Sequence, residues 1–418
     1  MELKIKNFAK VLSANLKIDG ITVIAGENNT GKSTIGKILY SVFTTFHNFD
    51  EKLRNERVRG ISKNLALLYI KNHSMDCLDR FLEMCNEIVD LKTFNIDEIK
   101  RILVSEGIDI DDKILLQIKN QLAFEDNELE KLIVGNIFSK EFNNQISPMF
   151  DETSTSEVLV MIKNDFIDLK FKKNKVLSIK KMELFNDGIY IDNPLLLDEM
   201  IQLKPGNFID TVLGLHDNLY IHEVVLKEKL NKSLIHKEAL IDEAIYKKRI
   251  EKILDTIRNT ISGDFIERED RFTFSERNYD REIELANLST GIKSFAILLK
   301  LLENKDINDN SLVVLDEPEV HLHPKWQLIY AELLILLQRE FNLNIILTTH
   351  SPYFVTALDV YSRKHNIKEK CNYYLAKSEN DKAVFEDVTN NHELIYKKLA
   401  EPFEILSKEE DELNNNEV

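Results

Sequence analysis

Hydrophobic and polar positions repeat with two different periods near the start of the chain. Residues 3–9 alternate between apolar and polar side chains, and residues 21–25 are continuously apolar. These two patterns predict a half-exposed strand and then a buried parallel strand. From residue 32 onward Ile35, Ile38 and Leu39 recur at helical spacing, which predicts an amphipathic helix directly after a short turn.

The middle of the chain changes its period twice. Residues 50–145 have helical periodicity broken by Gly and Asn, and residues 156–192 shift toward strand character. Residues 222–261 form the longest periodic stretch, and Gly263 is a helix-stop signal at its end. One unbroken helix there would be about 60 Å long. The pattern leaves open a short coiled-coil arm or two packed helices, because its heptad register is not strict.

Strands and helices alternate again in the C-terminal third. Two continuously apolar segments, within 311–317 and 344–350, are separated by a helical segment at 326–339. Buried strands that alternate with helices indicate an α/β sheet with crossover connections.

The turn between the second strand and the first helix has the spacing of a phosphate-binding loop. The segment Gly26–Ser33 matches G-x-x-x-x-G-K-[ST] without a gap. Its glycines let backbone N–H groups point at phosphates, and the helix N-terminus adds partial positive charge. We expect Lys32 to reach the β- and γ-phosphates and the Ser33 hydroxyl to bind Mg²⁺. The predicted ATP-binding residues on this loop are Gly26, Asn28, Asn29, Thr30, Gly31, Lys32, Ser33 and Thr34.

Two carboxylates follow the apolar strand of the C-terminal third. Asp316 ends the strand and is expected to hold Mg²⁺ with Ser33, while Glu317 is placed to act as general base on water. His350 ends the next apolar strand, where it can contact the γ-phosphate and position that water. The predicted catalytic residues are therefore Glu317, His350 and Lys32.

A short polar segment, Ser289-Thr290-Gly291, precedes another predicted helix. Ser289 could simply cap that helix. The segment also resembles the signature of ABC-type ATPases, and that resemblance implies that Ser289 and Gly291 bind the γ-phosphate of ATP held by a second subunit. The order of the segments along the chain, between phosphate loop and Asp316, favours the second interpretation. The His321/His323 alternation is interpreted as a loop along the dimer seam rather than as a metal site.

These segments carry a family resemblance. NLSTGIKSF, VVLDEPEVHLHPKWQ and ILTTHSPYFVTAL resemble ABC-type ATPases related to SMC, RecF and OLD proteins. They are especially similar to stand-alone bacterial AAA-family ATPases of antiphage defence systems such as Septu, retron-associated and PARIS operons. The resemblance covers roughly residues 1–45 and 280–360. It implies ATP and Mg²⁺ as cofactors, a homodimer or higher homo-oligomer, and control of a separate effector, a nuclease or toxin encoded nearby.

The chain also departs from the family pattern. Its signature is STG rather than SGG, and Ile292 follows it, which argues against a transporter subunit. The Q-loop glutamine has no clear counterpart, and Gln117, Gln121 and Gln145 are candidates by order alone. The central insertion is too short for a long SMC coiled coil. The residues after His350 lack a convincing TOPRIM carboxylate set, so we expect no nuclease in this chain.

The predicted architecture is an α/β P-loop NTPase head of ABC type, a mixed sheet with flanking helices and a large mainly helical insertion. The expected divisions are residues 1–48 and 271–405 for the two halves of the head, 49–270 for the insertion with a strand-rich part near 156–192, and 406–418 for a disordered acidic tail.

Charge and cysteine content narrow the class of partner. The formal net charge of −16 opposes nucleic-acid binding by bulk charge. The dense basic segment at 170–181 is interpreted as the solvated face of a strand or hairpin. A DNA-clamping repair ATPase of the SMC/RecF type remains the alternative function, with DNA as its ligand. Apolar runs are too short to span a membrane, and the scattered Cys77, Cys85 and Cys371 are typical of reduced thiols in a cytoplasmic protein.

Overall fold

The computed structural model describes residues 1–72, 78–91, 95–200, 221–231, 240–268, 271–277 and 281–416. Its strands are β1 (Glu2–Phe8), β2 (Val11–Lys17), β3 (Ile21–Gly26), β4 (Ser156–Ile162), β5 (Asp165–Lys172), β6 (Lys175–Lys180), β7 (Gly188–Ile191), β8 (Gly263–Arg268), β9 (Arg271–Glu276), β10 (Glu282–Glu284), β11 (Leu312–Asp316), β12 (Asn344–Thr349), β13 (Cys371–Glu379) and β14 (Lys382–Asp387). Its helices are α1 (Lys32–Phe46), α2 (Phe49–Asn72), α3 (Leu78–Val89), α4 (Ile96–Ser105), α5 (Asp112–Leu122), α6 (Asp126–Glu141), α7 (Leu196–Met200), α8 (His222–Asn231), α9 (Leu240–Ile261), α10 (Thr290–Glu303), α11 (Pro324–Phe341), α12 (Pro352–Lys364) and α13 (Glu393–Asn416).

One mixed sheet organises the molecule. Among the described residues it has eleven strands in the order β6-β5-β4-β1-β2-β14-β13-β3-β12-β11-β7. The five strands from β13 to β7 run parallel to one another, and β14 pairs in parallel with β2. The pairs β13–β14, β2–β1, β1–β4, β4–β5 and β5–β6 are antiparallel. The carboxyl ends of β3, β12, β11 and β7 therefore meet at one edge of the sheet, where ligand sites of open α/β sheets lie.

Alternating side chains of the parallel strands divide between two cores. Ile21, Val23 and Ala25 of β3 pack into a core covered by α9 to α12, whereas Ile24 packs into a core formed with α1 and α6. Both faces of these strands are thus buried, which explains their unbroken apolar sequence. The predicted fold class, an α/β mixed sheet with flanking helices, is confirmed.

The segment 49–270, predicted as one insertion, is not structurally uniform. Helices α2 to α5 form a lobe with its own apolar core, including Ile61, Leu65 and Phe81. In contrast, β4 pairs with β1 and β7 pairs with β11, so the strand-rich part extends the main sheet. Alternating strands reveal which face is buried but not which strand they pair with.

The long periodic stretch at 222–261 contains two helices, α8 and α9. Ile250, Ile253 and Ile257 of α9 are buried in the core beneath α10 and α11. The apolar stripe of α9 packs on the helices that cover the sheet. Among the described residues this stretch therefore does not form the coiled-coil arm, which was one of the two predicted alternatives. The intervening residues 232–239 lie outside the described part.

The C-terminal tail also differs from expectation. We expected residues 406–418 to be disordered, but α13 continues to Asn416, and residues 417–418 lie outside the described part. Glu, Lys and Leu dominate residues 404–413 and are strong helix formers, so high charge did not prevent a helix.

The basic segment 170–181 forms the β5–β6 hairpin at one end of the sheet. Lys170 lies 3.7 Å from Glu157, and Lys181 lies 2.6 Å from Glu130. These ion pairs match the predicted solvated hairpin.

Two further sequence expectations concern membrane-spanning helices and the cysteines. In the described part of the chain, no helix combines the length and apolar character needed to cross a bilayer. Cys85 and Cys371 are free and buried, and Cys77 lies outside the described residues. Burial raises the pKa of the Cys85 thiol to about 11 and that of Cys371 to about 12.

Candidate active site

The phosphate loop joins the buried strand β3 to helix α1, as predicted. Gly31 caps α1 with a left-handed backbone, φ 77°. The Lys32 ammonium donates to the carbonyls of Gly26 at 3.0 Å and Glu27 at 2.8 Å, and its side chain is 4 % exposed. The loop therefore wraps around a buried cation, which is the feature that attracts a phosphate chain.

The other predicted loop residues have distinct positions. Asn28 and Asn29 are exposed, Thr34 is half-buried, and buried Thr30 donates from its hydroxyl to Glu27 O at 2.7 Å. Lys10, in the β1–β2 turn, donates to Asn29 O at 2.8 Å. The loop thus exposes its first half and anchors its second half.

Ser33 and Asp316 meet although 283 residues separate them in the chain. The Ser33 hydroxyl donates to Asp316 Oδ1 at 3.1 Å. Thr348, at the end of β12, donates to the same oxygen, and Tyr190 of β7 donates to Oδ2 at 2.9 Å. Burial and the nearby Asp316 charge raise the pKa of Tyr190, so its hydroxyl stays a donor. Two hard oxygen donors side by side suit Mg²⁺, which keeps waters and phosphate oxygens as its remaining ligands.

Glu317 lies between the other two predicted catalytic residues. Its Oε1 is 3.5 Å from Lys32 Nζ, and its Oε2 is 3.4 Å from His350 Nδ1. Glu317 has φ 50°, and its N–H donates to the Thr348 carbonyl at 3.2 Å and hydroxyl at 3.0 Å. A left-handed backbone costs energy for a residue other than glycine, and the two hydrogen bonds to Thr348 stabilise this conformation. The fixed backbone in turn sets the direction in which the Glu317 side chain leaves the strand. The structure brings Lys32, Glu317 and His350 together.

Glu319 supports this arrangement and was not recognised from the sequence. Its side chain is 2 % exposed, and its Oε1 accepts from the His350 N–H at 3.1 Å and from the Thr349 hydroxyl. Burial raises its pKa, while these hydrogen bonds oppose the rise. Glu319 precedes His321 by two residues and belongs to the segment interpreted from the sequence as a loop along a dimer seam. Its position two residues after Glu317 on a loop was the available signal.

The Ser289 segment has the geometry of a helix N-terminus. Ser289 is exposed and accepts from Ile292 N at 3.5 Å, as a cap of α10 does. A Cβ on buried Gly291 would stand 2.9 Å from Trp326 Cζ3, so α10 approaches α11 closely there. The hydrogen bond described for Ser289 is local and does not connect it to Lys32 or Asp316. The cap interpretation holds within one chain, and contact with a nucleotide requires another subunit.

Helix α13 borders the phosphate loop. Lys398 lies 2.8 Å from Glu27, and a cavity of about 490 Å³ is lined by Glu27, Asn28 and His350 on one side and by Leu399 and Ile405 of α13 on the other. The C-terminal helix therefore forms one wall of the space beside the loop.

The Q-loop candidates lie elsewhere. Gln117 and Gln121 belong to α5 of the helical lobe, where Gln121 accepts from Asn64, and Gln145 follows α6. The strand next to β11 is β7, and the residue that follows it is Asp192. At the end of β7, where Asp192 lies, the sheet edge therefore carries a carboxylate and none of the three candidate glutamines.

Fold and site together define a P-loop ATPase head, with phosphate loop, paired carboxylates and histidine at one sheet edge. Comparison with known families agrees: residues 1–355 match the model described as AAA ATPase domain. The chain belongs to this family.

Curated relatives are similar over parts of the chain. The Retron Vc95 probable ATPase of Vibrio cholerae serotype O1 biovar El Tor is 37 % identical over 89 residues, 18 % of this chain and 16 % of that protein. The Retron Ec83 probable ATPase of Escherichia coli is 25 % identical over 209 residues, 47 % of this chain and 36 % of that protein. The chain thus spans well under half the length of each of these relatives.

Solved structures with a similar arrangement include SMC heads. The SMC head domain from Thermotoga maritima has 12 % identity and a TM-score of 0.40, over 93 % of this chain and 98 % of that one. The Smc head domain bound to the C-terminal domain of ScpA from Pyrococcus furiosus has 13 % identity and a TM-score of 0.41, over 97 % and 98 %.

Proposed function

We propose that this chain binds Mg·ATP and hydrolyses it in a site completed by a second copy of itself. The observation that carries the proposal is the convergence of Lys32, Ser33, Asp316, Glu317 and His350 from separate segments at one sheet edge. Each group matches a need of phosphoryl transfer: charge neutralisation, metal binding and water activation.

Each residue then has one task. Lys32 neutralises phosphate charge, and Ser33 with Asp316 holds Mg²⁺. Glu317 accepts a proton from the attacking water, and His350, 3.4 Å from Glu317, orients that water toward the γ-phosphate. Lys32 also lies 3.5 Å from Glu317, so the same ammonium group contacts both the phosphate loop and the proposed base.

The exposed position of Ser289 supports the proposed dimer. It lies at the N-terminus of α10, where N–H groups and the helix dipole favour an anion. Asn28 and His350 are exposed at the phosphate loop, on the face that would receive Ser289 of a second copy. In a head-to-tail dimer each nucleotide lies between the loop of one subunit and Ser289 and Gly291 of the other.

We further propose that the ATPase serves antiviral defence in the cytoplasm and controls a separate effector, a nuclease or toxin. Similarity to two retron-associated probable ATPases supports this role. The ion-paired hairpin at 170–181 and the net charge of −16 favour a protein partner over DNA.

Hydrolysis is tested with Glu317→Gln, which keeps the side-chain shape and removes the base. We expect phosphate release to fall about 10²- to 10⁴-fold while ATP binding by equilibrium dialysis is retained. Glu332→Gln is the matched control, since Glu332 pairs with His365, the residue that follows α12. Full hydrolysis by Glu317→Gln would refute the catalytic assignment.

The effector role is tested by purifying the chain together with the products of the neighbouring genes. Failure of the chain to retain any of these products would refute that role.

A further inference from the structure

A buried ionic chain begins at the same sheet edge, outside the catalytic set. Asp192 directly follows β7, and β7 pairs in parallel with β11 so that Ile191 stands beside Leu315. Asp192 and Asp316 therefore leave neighbouring strands side by side. They line one small cavity together with Glu317. A third carboxylate thus adjoins the two that the proposed mechanism uses.

His222 holds this carboxylate. Its Nε2 is 3.0 Å from Asp192 Oδ2, and its Nδ1 is 2.7 Å from Glu141 Oε1. The His222 backbone N–H donates to Glu141 Oε2 at 3.2 Å. The side chains of His222 and Glu141 are 5 % and 0 % exposed, and Lys37 of α1 lies 3.4 Å from Glu141. The chain of contacts therefore joins α1, α6 and α8 to the end of β7.

The charge on His222 follows from these contacts. Burial by itself lowers the pKa of His222, but hydrogen bonds to Asp192 and Glu141 raise it to about 9. Both ring nitrogens of an imidazolium are donors, and the two carboxylates accept them. Asp192, His222 and Glu223 are close enough to surround a metal ion, but each ring nitrogen of His222 already lies within hydrogen-bond distance of a carboxylate.

Strand β7 carries a second link to the metal-binding edge. Tyr190 donates to Asp316 Oδ2 at 2.9 Å, and its ring centroid lies 4.6 Å from that of His222. One side of β7 thus fixes Asp316 through Tyr190, and its end places Asp192 through His222. Buried networks of this kind hold their members in one arrangement when every member is satisfied.

We propose that Asp192 is an additional oxygen donor on the magnesium side of the site and that His222 is the positioning residue that fixes it. This inference rests on the proposed Mg·ATP function. It makes magnesium binding depend on the packing of α6 and α8, elements outside the phosphate loop. Loss of a partner that orients a metal ligand typically weakens metal affinity about 10- to 100-fold.

The test compares His222→Gln and Asp192→Asn with wild type in the full-length chain. Melting temperature at fixed ATP is followed through a Mg²⁺ titration, and ATP binding is measured separately in EDTA. We expect both variants to need about 10- to 100-fold more Mg²⁺ for half of the stabilisation, with metal-free ATP binding within about twofold of wild type. His365→Gln is the control, because His365 also bonds a carboxylate, Glu332, but between α11 and α12.

The outcomes separate this inference from the function on which it rests. No Mg²⁺ dependence in the wild type would refute the proposed Mg·ATP site itself. A dependent wild type with unchanged midpoints in both variants would overturn the role of Asp192 and His222. Stoichiometric zinc in the wild type that is lost in His222→Gln would also overturn it, since His222 would then be a metal ligand. If His222→Gln fails to fold, the near-isosteric Asp192→Asn decides the question.

Discussion

Helix α1 packs so closely on β11 at Gly36 that an added methyl group is expected to destabilise the protein. A Cβ added at Gly36 would stand 2.6 Å from Val314 Cγ1 and 3.1 Å from Tyr190 Cε2. Carbon atoms normally stand about 3.5–4.0 Å apart, so Gly36→Ala requires a shift of about 1 Å. Val314 and Tyr190 are both buried and cannot move away freely.

Two terms set the magnitude. Alanine in a helix interior is about 1 kcal/mol better than glycine. Overpacking a tight core costs about 1–3 kcal/mol, and the closeness of Val314 places Gly36→Ala at the upper end. We expect a net loss of about 2 kcal/mol in the free energy of unfolding, taking about 3 for overpacking and subtracting about 1 for helix propensity. Because Tyr190 holds Asp316, hydrolysis should fall as well.

Gly135→Ala is the matched control. Gly135 is also in a helix, α6, but its added Cβ would lie 3.5 Å from Val176 Cγ2, an ordinary contact. It should be neutral or raise stability by up to about 1 kcal/mol. Urea unfolding followed by circular dichroism, with phosphate release on the same samples, measures both effects. Equal stability and equal hydrolysis of the two variants would refute the proposed close contact of α1 with β11.

Three further predictions concern a buried hydroxyl donor and the buried thiols. Tyr190→Phe removes a hydrogen bond to the charged Asp316, a type of bond that contributes about 1.5–3 kcal/mol, so the urea midpoint should fall; an unchanged midpoint would argue against the contact. On a Cys77→Ser background, Cys85 and Cys371 should resist iodoacetamide at pH 8 until urea is added, because burial raises both thiol pKa values and thiolates are the reactive species. In the folded protein the pKa of the Cys85 thiol is about 11, above its ordinary value of 9.0. The contribution of the protonated thiol to the free energy of unfolding is therefore present below pH 9 and is lost as pH rises toward about 11. Urea unfolding of the wild type and of Cys85→Ser over a series of pH values measures this loss.

The core of the candidate site was predictable because each part is local in sequence. The phosphate loop is contiguous, and Asp316 and His350 each end an apolar strand. Parallel strands of one sheet share their carboxyl edge, so residues at strand ends meet there. That rule connects Ser33 to Asp316 across 283 residues, as the structure shows.

The supporting residues were not predictable in the same way. Tyr190, Asp192, His222 and Glu141 come from β7, α8 and α6, all within the segment interpreted as an insertion. Their roles depend on β7 pairing with β11, and a four-residue strand has no pattern that names its partner. In the sequence His222 stands alone, because the two carboxylates that contact it in the structure are 30 and 81 residues away.

In the proposed dimer two copies of the chain complete each ATP site, and one complementation experiment tests this arrangement. Ser289→Arg blocks one half of the proposed site and Glu317→Gln the other, so each variant alone should hydrolyse almost no ATP. A mixed dimer would contain one intact site, formed by the unaltered Glu317 of one subunit and the unaltered Ser289 of the other. In an equal mixture about half of the dimers are mixed, and each has one of its two sites intact. Such a mixture should therefore recover about a quarter of wild-type phosphate release. Recovery near that level is the predicted result. Full hydrolysis by Ser289→Arg alone, or no recovery in the mixture, would contradict the shared site.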